Sequence, residues 1–363
     1  RDIGVTGVQT CALPICLGHR NEWDGRWSYP RPCLLVGDST PLQALLPSMV
    51  HPVQSSRSSR AHDAGSPCCI CRVKERTSFG RFPDNRFAPA GQAFELTRCA
   101  GCGLVSTAGE MEDGAYPEEY AAFQAPRSRG ASMPSARQGR RGPAHLLRHR
   151  FAWVHRLALP SRPRVLDVGC GSGALSLGMR DELGWDVVGL EPSRAAYQAA
   201  QEAGLDVLLG TLESRSGELG QFDLVVFTHV LEHVPDPVAD LQRAREITRP
   251  GGHCVVSVPN VASLERRLLG RSWDAWDLPR HRTHFEPRTL TLAMEQAGWE
   301  PGEVGFERYS VLARSLCNSL WPAVPYEARM QRLKLRRLSR SLGLLLGLLR
   351  TSSAMTLVAQ RRG

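Results

Sequence analysis

Leu166-Asp167-Val168-Gly169-Cys170-Gly171-Ser172-Gly173 is the stretch on which the reading of this chain turns. Arg164 to Val168 reads as a buried strand, and Ala174 to Leu183 follows with helical periodicity. The turn between them is rich in glycine. Such a strand-to-helix turn aims backbone N–H groups and a helix N-terminus at an anionic or polar ligand. Glycine lets the ligand approach where a Cβ would clash. A second strand, Trp185 to Leu190, ends in Glu191, and a carboxylate at that edge can accept both hydroxyls of a ribose.

Outward from this stretch, apolar strand-like runs near 165–169, 186–191, 206–209, 223–228 and 253–259 alternate with helical patterns near 174–183, 193–203 and 237–248. The alternation predicts an α/β fold, a doubly wound, Rossmann-like and mostly parallel sheet with helices on both faces. A helix at Arg288–Gln296, a strand around Gly302–Phe306 and a last, antiparallel strand at Ala354–Gln360 bring the sheet to seven strands. Ligands of such sheets bind at the carboxyl ends of the strands. His229 to His233, Asn260 and the loop Trp273 to Phe285 are expected on that edge. NAD and S-adenosylmethionine both suit the glycine turn. Its third glycine comes one residue early for G-x-G-x-x-G, which decides against NAD.

Here a resemblance becomes specific. Leu166 to Gly173 resembles the first motif of class I S-adenosylmethionine-dependent methyltransferases. Phe222-Asp223-Leu224-Val225-Val226-Phe227-Thr228-His229-Val230-Leu231-Glu232-His233-Val234 resembles their fourth-strand motif, and Arg249-Pro250-Gly251-Gly252 the turn before their fifth strand. The resemblance covers residues 145–363 and implies an enzyme that transfers a methyl group. It implies that Asp167, Gly169, Gly171 and Gly173 surround the methionine part of the cofactor. Glu191 would hold the ribose, and Thr211 and Leu212 would border the adenine.

Five of the eleven cysteines cluster: Cys68, Cys69, Cys71, Cys99 and Cys102. Cys68–Cys71 and Cys99–Cys102 are two C-x-x-C knuckles, the second followed by Gly103. Two such knuckles complete a closed tetrahedral Zn²⁺ site, which is structural rather than catalytic. A small zinc ribbon over 66–105 is therefore expected, held by its metal because its own core is thin. Cys69 is the odd member and reads as a spare thiol. The ribbon with Tyr116 and Tyr120 resembles an N-terminal extension of some methyltransferases.

Methyl transfer from a sulfonium is an in-line displacement, and a base is needed only where the acceptor loses a proton. His229, His233, His281 and His284 are the candidates. For His229 and His233 the competing reading is packing of the turn after the fourth strand; for His281 and His284 it is capping of the next helix. Glu232 and His233 also resemble part of a divalent-metal motif of ubiquinone-type O-methyltransferases. That motif's leading Glu is replaced here by His229, which speaks against a Mg²⁺ site. Trp273 and Trp276 can stack on an acceptor ring or fill core.

Composition bounds the rest. The chain has 363 residues, 42% hydrophobic and 22% charged, so a membrane-integral, collagenous or wholly disordered protein is excluded. No apolar run reaches the roughly 18–20 residues of a membrane span. The net charge of +9 is uneven: residues 151–300 carry 15 basic and 20 acidic groups, residues 301–363 carry 11 and 3. Arg329 to Arg350 holds seven basic residues, nine leucines and no acid, a basic helical insert within about 315–350. It suits the surface of an anionic membrane or a packed helix with a solvated basic face. Val5 to Ile15 resembles the translation of a sequencing-library adapter, so residues 1–15 are set aside, 16–65 are expected to be a disordered or non-native leader, and translation is expected to begin at Met49. A linker at 106–143 and a methyltransferase domain at 144–363 complete the division, with cytoplasmic location, peripheral at the inner membrane face, as the default.

Two function classes follow. One is a methyltransferase acting on a small-molecule acceptor, a sugar or glycan or a quinone- or lipid-like molecule. The other is an RNA methyltransferase that grips its substrate with the ribbon and basic tail. The fourth-strand motif lacks the Pro-Pro-Tyr type that stacks an amino-bearing base, and no aromatic-basic interleaving marks an RNA platform. Nucleic acid is the lesser expectation.

Overall fold

The computed structural model describes residues 66–85, 92–109, 157–308, 310–321, 324 and 336–362. The expected leader with Met49, most of the expected linker with Tyr116 and Tyr120, and residues 329–335 of the basic insert lie outside the described residues.

In chain order the elements are β1 (Arg76–Pro83), β2 (Ala93–Cys99), β3 (Val105–Thr107), β4 (Arg164–Val168), α1 (Ala174–Leu183), β5 (Asp186–Glu191), α2 (Arg194–Glu202), β6 (Asp206–Leu209), α3 (Leu212–Arg215), β7 (Phe222–Thr228), α4 (Pro237–Glu246), β8 (Thr248–Pro259), α5 (Leu264–Leu269), β9 (Thr283–His284), α6 (Pro287–Gln296), β10 (Glu300–Phe306), α7 (Leu312–Leu320), α8 (Arg336–Leu348) and β11 (Ala354–Gln360). Seven strands form one sheet in the order β10-β11-β8-β7-β4-β5-β6. The pairs β4–β5, β5–β6, β4–β7 and β7–β8 are parallel, and β11 runs antiparallel to β8 and β10. This is the doubly wound sheet with one reversed strand that the sequence predicts.

Continuous apolar runs make these strands central. A parallel strand is covered on both faces, so most of its positions are apolar. Leu224, Val225, Val226 and Phe227 are all fully buried. Their alternation divides the core: Val165, Leu224, Val226 and Val255 pack with Met179 of α1 on one face. Leu166, Val168, Val225, Phe227 and Val256 pack on the other with residues of α4 and α6. β8 starts at Thr248, ahead of the expected 253, because Phe222 already pairs with Thr248 before the register shifts.

Chain reversals follow the usual chemistry. Ser193 caps α2 by accepting from the Ala196 N–H, and Asp236 caps α4 by accepting from Val238 and Ala239 ahead of Pro237. α1 differs. Its N-cap is Gly173 in the left-handed region, with no side-chain cap. The first turn of α1 therefore has no side-chain acceptor of its own at the switch between β4 and β7, where such sheets bind ligands.

A second, antiparallel sheet has the order β1-β2-β3-β9. Three strands come from the cysteine-bearing segment and the fourth from the loop after α5. Val105 pairs with His284 and Ser106 with Thr283.

Candidate active site

The glycine turn stands at the carboxyl end of β4. Gly169 has φ +65°, and a Cβ there would lie 2.6 Å from Val230 Cγ2. Gly171 has φ +57°, yet a Cβ there would meet nothing within 4 Å. The first glycine is required by close packing and the second faces open space, as a backbone cradle for a ligand requires. Glu191, at the end of β5, accepts from the Gly171 N–H at 2.8 Å and the Ser193 N–H at 2.9 Å. Burial pushes its carboxyl up, partly offset by those two donors.

Asp167 lies under the turn rather than in the open crevice. It is buried, and its Oδ2 accepts from Ser176 Oγ at 2.5 Å. Burial pushes its carboxyl up to about 7, with the Ser176 hydrogen bond opposing and the charge of Glu191 adding. After β6, Thr211 caps α3 from the surface, while the Leu212 side chain enters the main core. The expected cofactor residues thus gather along the ends of β4, β5 and β6. These residues fit S-adenosylmethionine: an uncapped helix start, an open glycine and a carboxylate share one edge.

The four histidines come from two segments. His229 follows β7 with φ +56°, an uncommon conformation for a non-glycine residue. Its side chain is 30% exposed, with Nδ1 3.4 Å from Glu232 Oε1. His233 Nδ1 donates to the Arg280 carbonyl at 3.1 Å and His281 Nδ1 to the Ala275 carbonyl at 3.1 Å. The rings of His233 and His281 meet edge to face with centroids 4.6 Å apart. Burial lowers His233 below the usual histidine value.

His284 adjoins this group, its ring centroid 6.2 Å from that of His281. Its Nε2 is 3.0 Å from Thr107 Oγ1, its ring packs on Trp276, and burial lowers it to about 3. It is neutral and enclosed. Trp273 and Trp276 are fully buried, with their N–H groups donated to Ser353 Oγ and the Gly270 carbonyl. They fill core, and the expectation of ring stacking on an acceptor is corrected accordingly.

The cysteines of both knuckles converge. Cys68 and Cys102 Sγ are 3.5 Å apart, Cys71 and Cys99 3.4 Å, and all four lie within 4.8 Å of one another. Those separations exceed a disulfide bond and match thiolates about one tetrahedral centre. The Cys102 hydrogen bond holds the Cys68 thiol far below its ordinary value. Gly103, with φ +83°, closes the second knuckle as its N–H donates to the Cys99 carbonyl. This cluster can hold a structural zinc ion. Cys69 is buried beside it, and its hydrogen bond to Cys68 and burial push it up, so it stays a thiol.

Sequence reasoning missed how the ribbon meets the histidine loop. Asp84 binds Arg280 through both oxygens at 2.9 and 3.1 Å, and Arg280 also reaches Asp277 at 2.6 Å. All three side chains are almost wholly buried. Thr107 Oγ1 donates to the His281 carbonyl at 2.6 Å, and Arg288 to the Cys102 carbonyl at 3.2 Å. An aspartate and an arginine almost two hundred positions apart leave no periodic signal of such a pair.

Comparison with known proteins agrees with this geometry. Residues 139–304 match a family described as a methyltransferase domain. The ubiquinone biosynthesis O-methyltransferase of Bordetella avium is 32% identical over 180 residues, covering 46% of this chain and 74% of that protein. That of Azorhizobium caulinodans is 37% identical over 152 residues, covering 40% and 58%. The crystal structure of a SAM-dependent methyltransferase from Archaeoglobus fulgidus is similar at 18% identity with a TM-score of 0.42, covering 60% of this chain and 92% of that one. With the motif order, the strand order and relatives matched over most of their length in agreement, the chain belongs to the class I S-adenosylmethionine-dependent methyltransferases.

Proposed function

We propose that this methyltransferase methylates an oxygen of a small-molecule acceptor, of the quinone- or lipid-like class, with a sugar or glycan as the other small-molecule candidate. The observation that supports it is the similarity to proteins named ubiquinone biosynthesis O-methyltransferases, 74% of one being covered. In this reading Gly169, Gly171 and Gly173, braced by Asp167, enclose the methionine part of the cofactor. Glu191 takes the ribose, and Thr211 with the backbone of Leu212 borders the adenine. The zinc ribbon occupies 66–105 and the methyltransferase domain 144–363.

S-adenosylmethionine, when bound, supplies an electrophilic methyl group on a sulfonium. The chain orients the acceptor and takes its proton. Of the four histidines, His229 suits the base: it is partly exposed at the strand edge, with Nδ1 3.4 Å from Glu232 Oε1. His233 and His281 are tied to backbone carbonyls. His284 is a positioning residue within the ribbon–loop contact.

A membrane surface is the proposed partner. On α8, Leu346 is buried and Gly343 and Gly347 approach the backbone of Glu307, Arg308 and Ser310, while Leu344, Leu345 and Leu348, with Leu349 just after the helix, are exposed. Leu320 and Trp321, at the end of α7, are exposed as well. No acidic residue occurs from 328 to 363, so the exposed leucines from Leu344 to Leu349 sit in a basic segment. Among the described residues no helix is long and apolar enough to cross a membrane. Flotation with anionic vesicles tests the contact; failure to float removes it.

The acceptor is tested by offering full-length chain and S-adenosylmethionine a dihydroxyphenyl lipid, a nucleotide sugar and RNA. An O-methylated phenol or sugar hydroxyl in the mass spectrum is the expected product. Methylation of RNA alone would replace this reading with the nucleic-acid one.

A further inference from the structure

We propose that Asp84 is a positioning residue for methyl transfer: acting through Arg280, it fixes the loop that carries His281 and holds His233 beside the base, so the cysteine-bearing segment serves the acceptor step and not cofactor binding. The proposal rests on the reading of His229 as that base.

The loop from Gly270 to Phe285 is pinned to the carboxyl ends of β7 and β8. The Glu232 carbonyl, after β7, accepts from the Arg282 N–H at 2.8 Å and the Thr283 N–H at 3.1 Å. The Val261 N–H, after β8, donates to the Phe285 carbonyl at 2.9 Å. That edge is where a ligand of such a sheet sits. The rest of the loop is gripped by two residues that follow β1. Asn85 Nδ2 donates to the Arg271 carbonyl at 2.9 Å, and Asp84 takes the Arg280 guanidinium through both oxygens. Adjacent residues thus hold both ends of the stretch from Arg271 to Arg280.

Stability alone does not account for this arrangement. The side chains of Asp84, Asp277 and Arg280 are each 3% exposed. Withdrawing an ion pair from water costs about as much as its attraction returns, so well-packed apolar residues would hold the loop as firmly. What the charges add is geometry. A guanidinium fork meets a carboxylate in one plane at fixed distances. Here Arg280 Nε donates to Asp277 Oδ1 at 2.6 Å while both terminal nitrogens reach Asp84. Asp277 has φ +43°, a conformation few non-glycine residues adopt, and its carbonyl accepts the His281 N–H at 3.0 Å.

The backbone of Arg280 carries this position to the site. Its carbonyl accepts from His233 Nδ1 at 3.1 Å. His233 follows Glu232, whose Oε1 is 3.4 Å from Nδ1 of His229. Thr107, from β3, donates to the His281 carbonyl and so fixes the next residue from the same sheet. The route from Asp84 to His229 therefore runs through Arg280, His233 and Glu232. Gly171 and Glu191, read as holding the cofactor, stand at the ends of β4 and β5, off this route.

The test is steady-state methyl transfer by the full chain at saturating S-adenosylmethionine, with whichever of the three offered acceptors wild type methylates. Calorimetry gives the cofactor affinity alongside, and near-UV circular dichroism selects a temperature at which every variant is folded. Asp84→Asn keeps the shape and removes the charge. It should lower kcat about tenfold or more, as a displacement of about 1 Å at the reacting groups does, and leave the S-adenosylmethionine Kd within about twofold. Arg280→Lys keeps the charge and loses the fork, and the same pattern is expected. Leu357→Ala, a truncation of a fully buried side chain in β11, is the control for lost stability and should keep the wild-type kcat. Wild-type kcat in either folded variant, a cofactor affinity that falls in step with kcat, or an equal loss of kcat in Leu357→Ala would overturn the proposal. If Asp84→Asn does not fold, Arg280→Lys decides. Failure of the quinone reading is separate: it changes which acceptor is methylated, whereas failure of this proposal leaves the variants at the wild-type rate.

Discussion

Replacing Asp167 by Asn should make the cofactor-free protein more stable near neutral pH and leave it unchanged in strong acid. Burial raises the Asp167 carboxyl from 3.8 to about 7. Between those values the folded chain keeps a proton that the unfolded chain releases, so stability falls as pH rises through the window. A separation of about three pH units corresponds to about 4 kcal/mol at most, at about 1.4 kcal/mol per unit. Asparagine retains an acceptor for Ser176 and carries no charge. Urea denaturation of both proteins at pH of about 4.5, 6 and 7.5 reads the difference. The gap should widen from about 1 kcal/mol at the lowest pH to about 4 kcal/mol at the highest, in favour of Asp167→Asn. His284, lowered to about 3, makes stability fall with acid below about 6.5, but it is common to both proteins and cancels. A gap that is the same at every pH would refute the assignment of Asp167 as a buried, charge-penalised brace.

Other outcomes follow from single contacts. Gly171→Ala costs about 1–2 kcal/mol for its left-handed φ but meets no atom; calorimetry should show a modestly lower Tm and S-adenosylmethionine affinity reduced at least about tenfold. Asp84→Asn removes a carboxylate charge from buried Arg280 and should cost about 3 kcal/mol in denaturant midpoint analysis. If the four cysteines hold zinc, chelation should lower the Tm and admit protease within 66–109, because β3 then no longer holds β9; an unchanged cleavage pattern would show that the ribbon stands without metal.

Much of the fold is written locally. The apolar runs at Val165–Val168, interrupted only by Asp167, and at Leu224–Phe227 read as strands covered on both faces; glycines mark where the first hands over to a helix, and Asp236-Pro237 where the second does. The four cysteines declare their convergence through spacing alone. β9 has only two residues, Thr283 and His284, and no period, so its pairing with β3 is set by tertiary packing. The two buried tryptophans could not be separated from ring-stacking residues, since both uses need the same side chain. The ring of His233 against His281 joins segments 48 positions apart, and a motif ending at Val234 gives no hint of it.

The most direct measurement is transfer of label from methyl-labelled S-adenosylmethionine, with the full chain, into a fractionated host extract. The account predicts label on oxygen in the quinone, lipid or glycan fraction, and less of it at sub-saturating S-adenosylmethionine when Gly171→Ala replaces the wild type. Label confined to RNA, or no transfer from a protein that binds the cofactor, would contradict it.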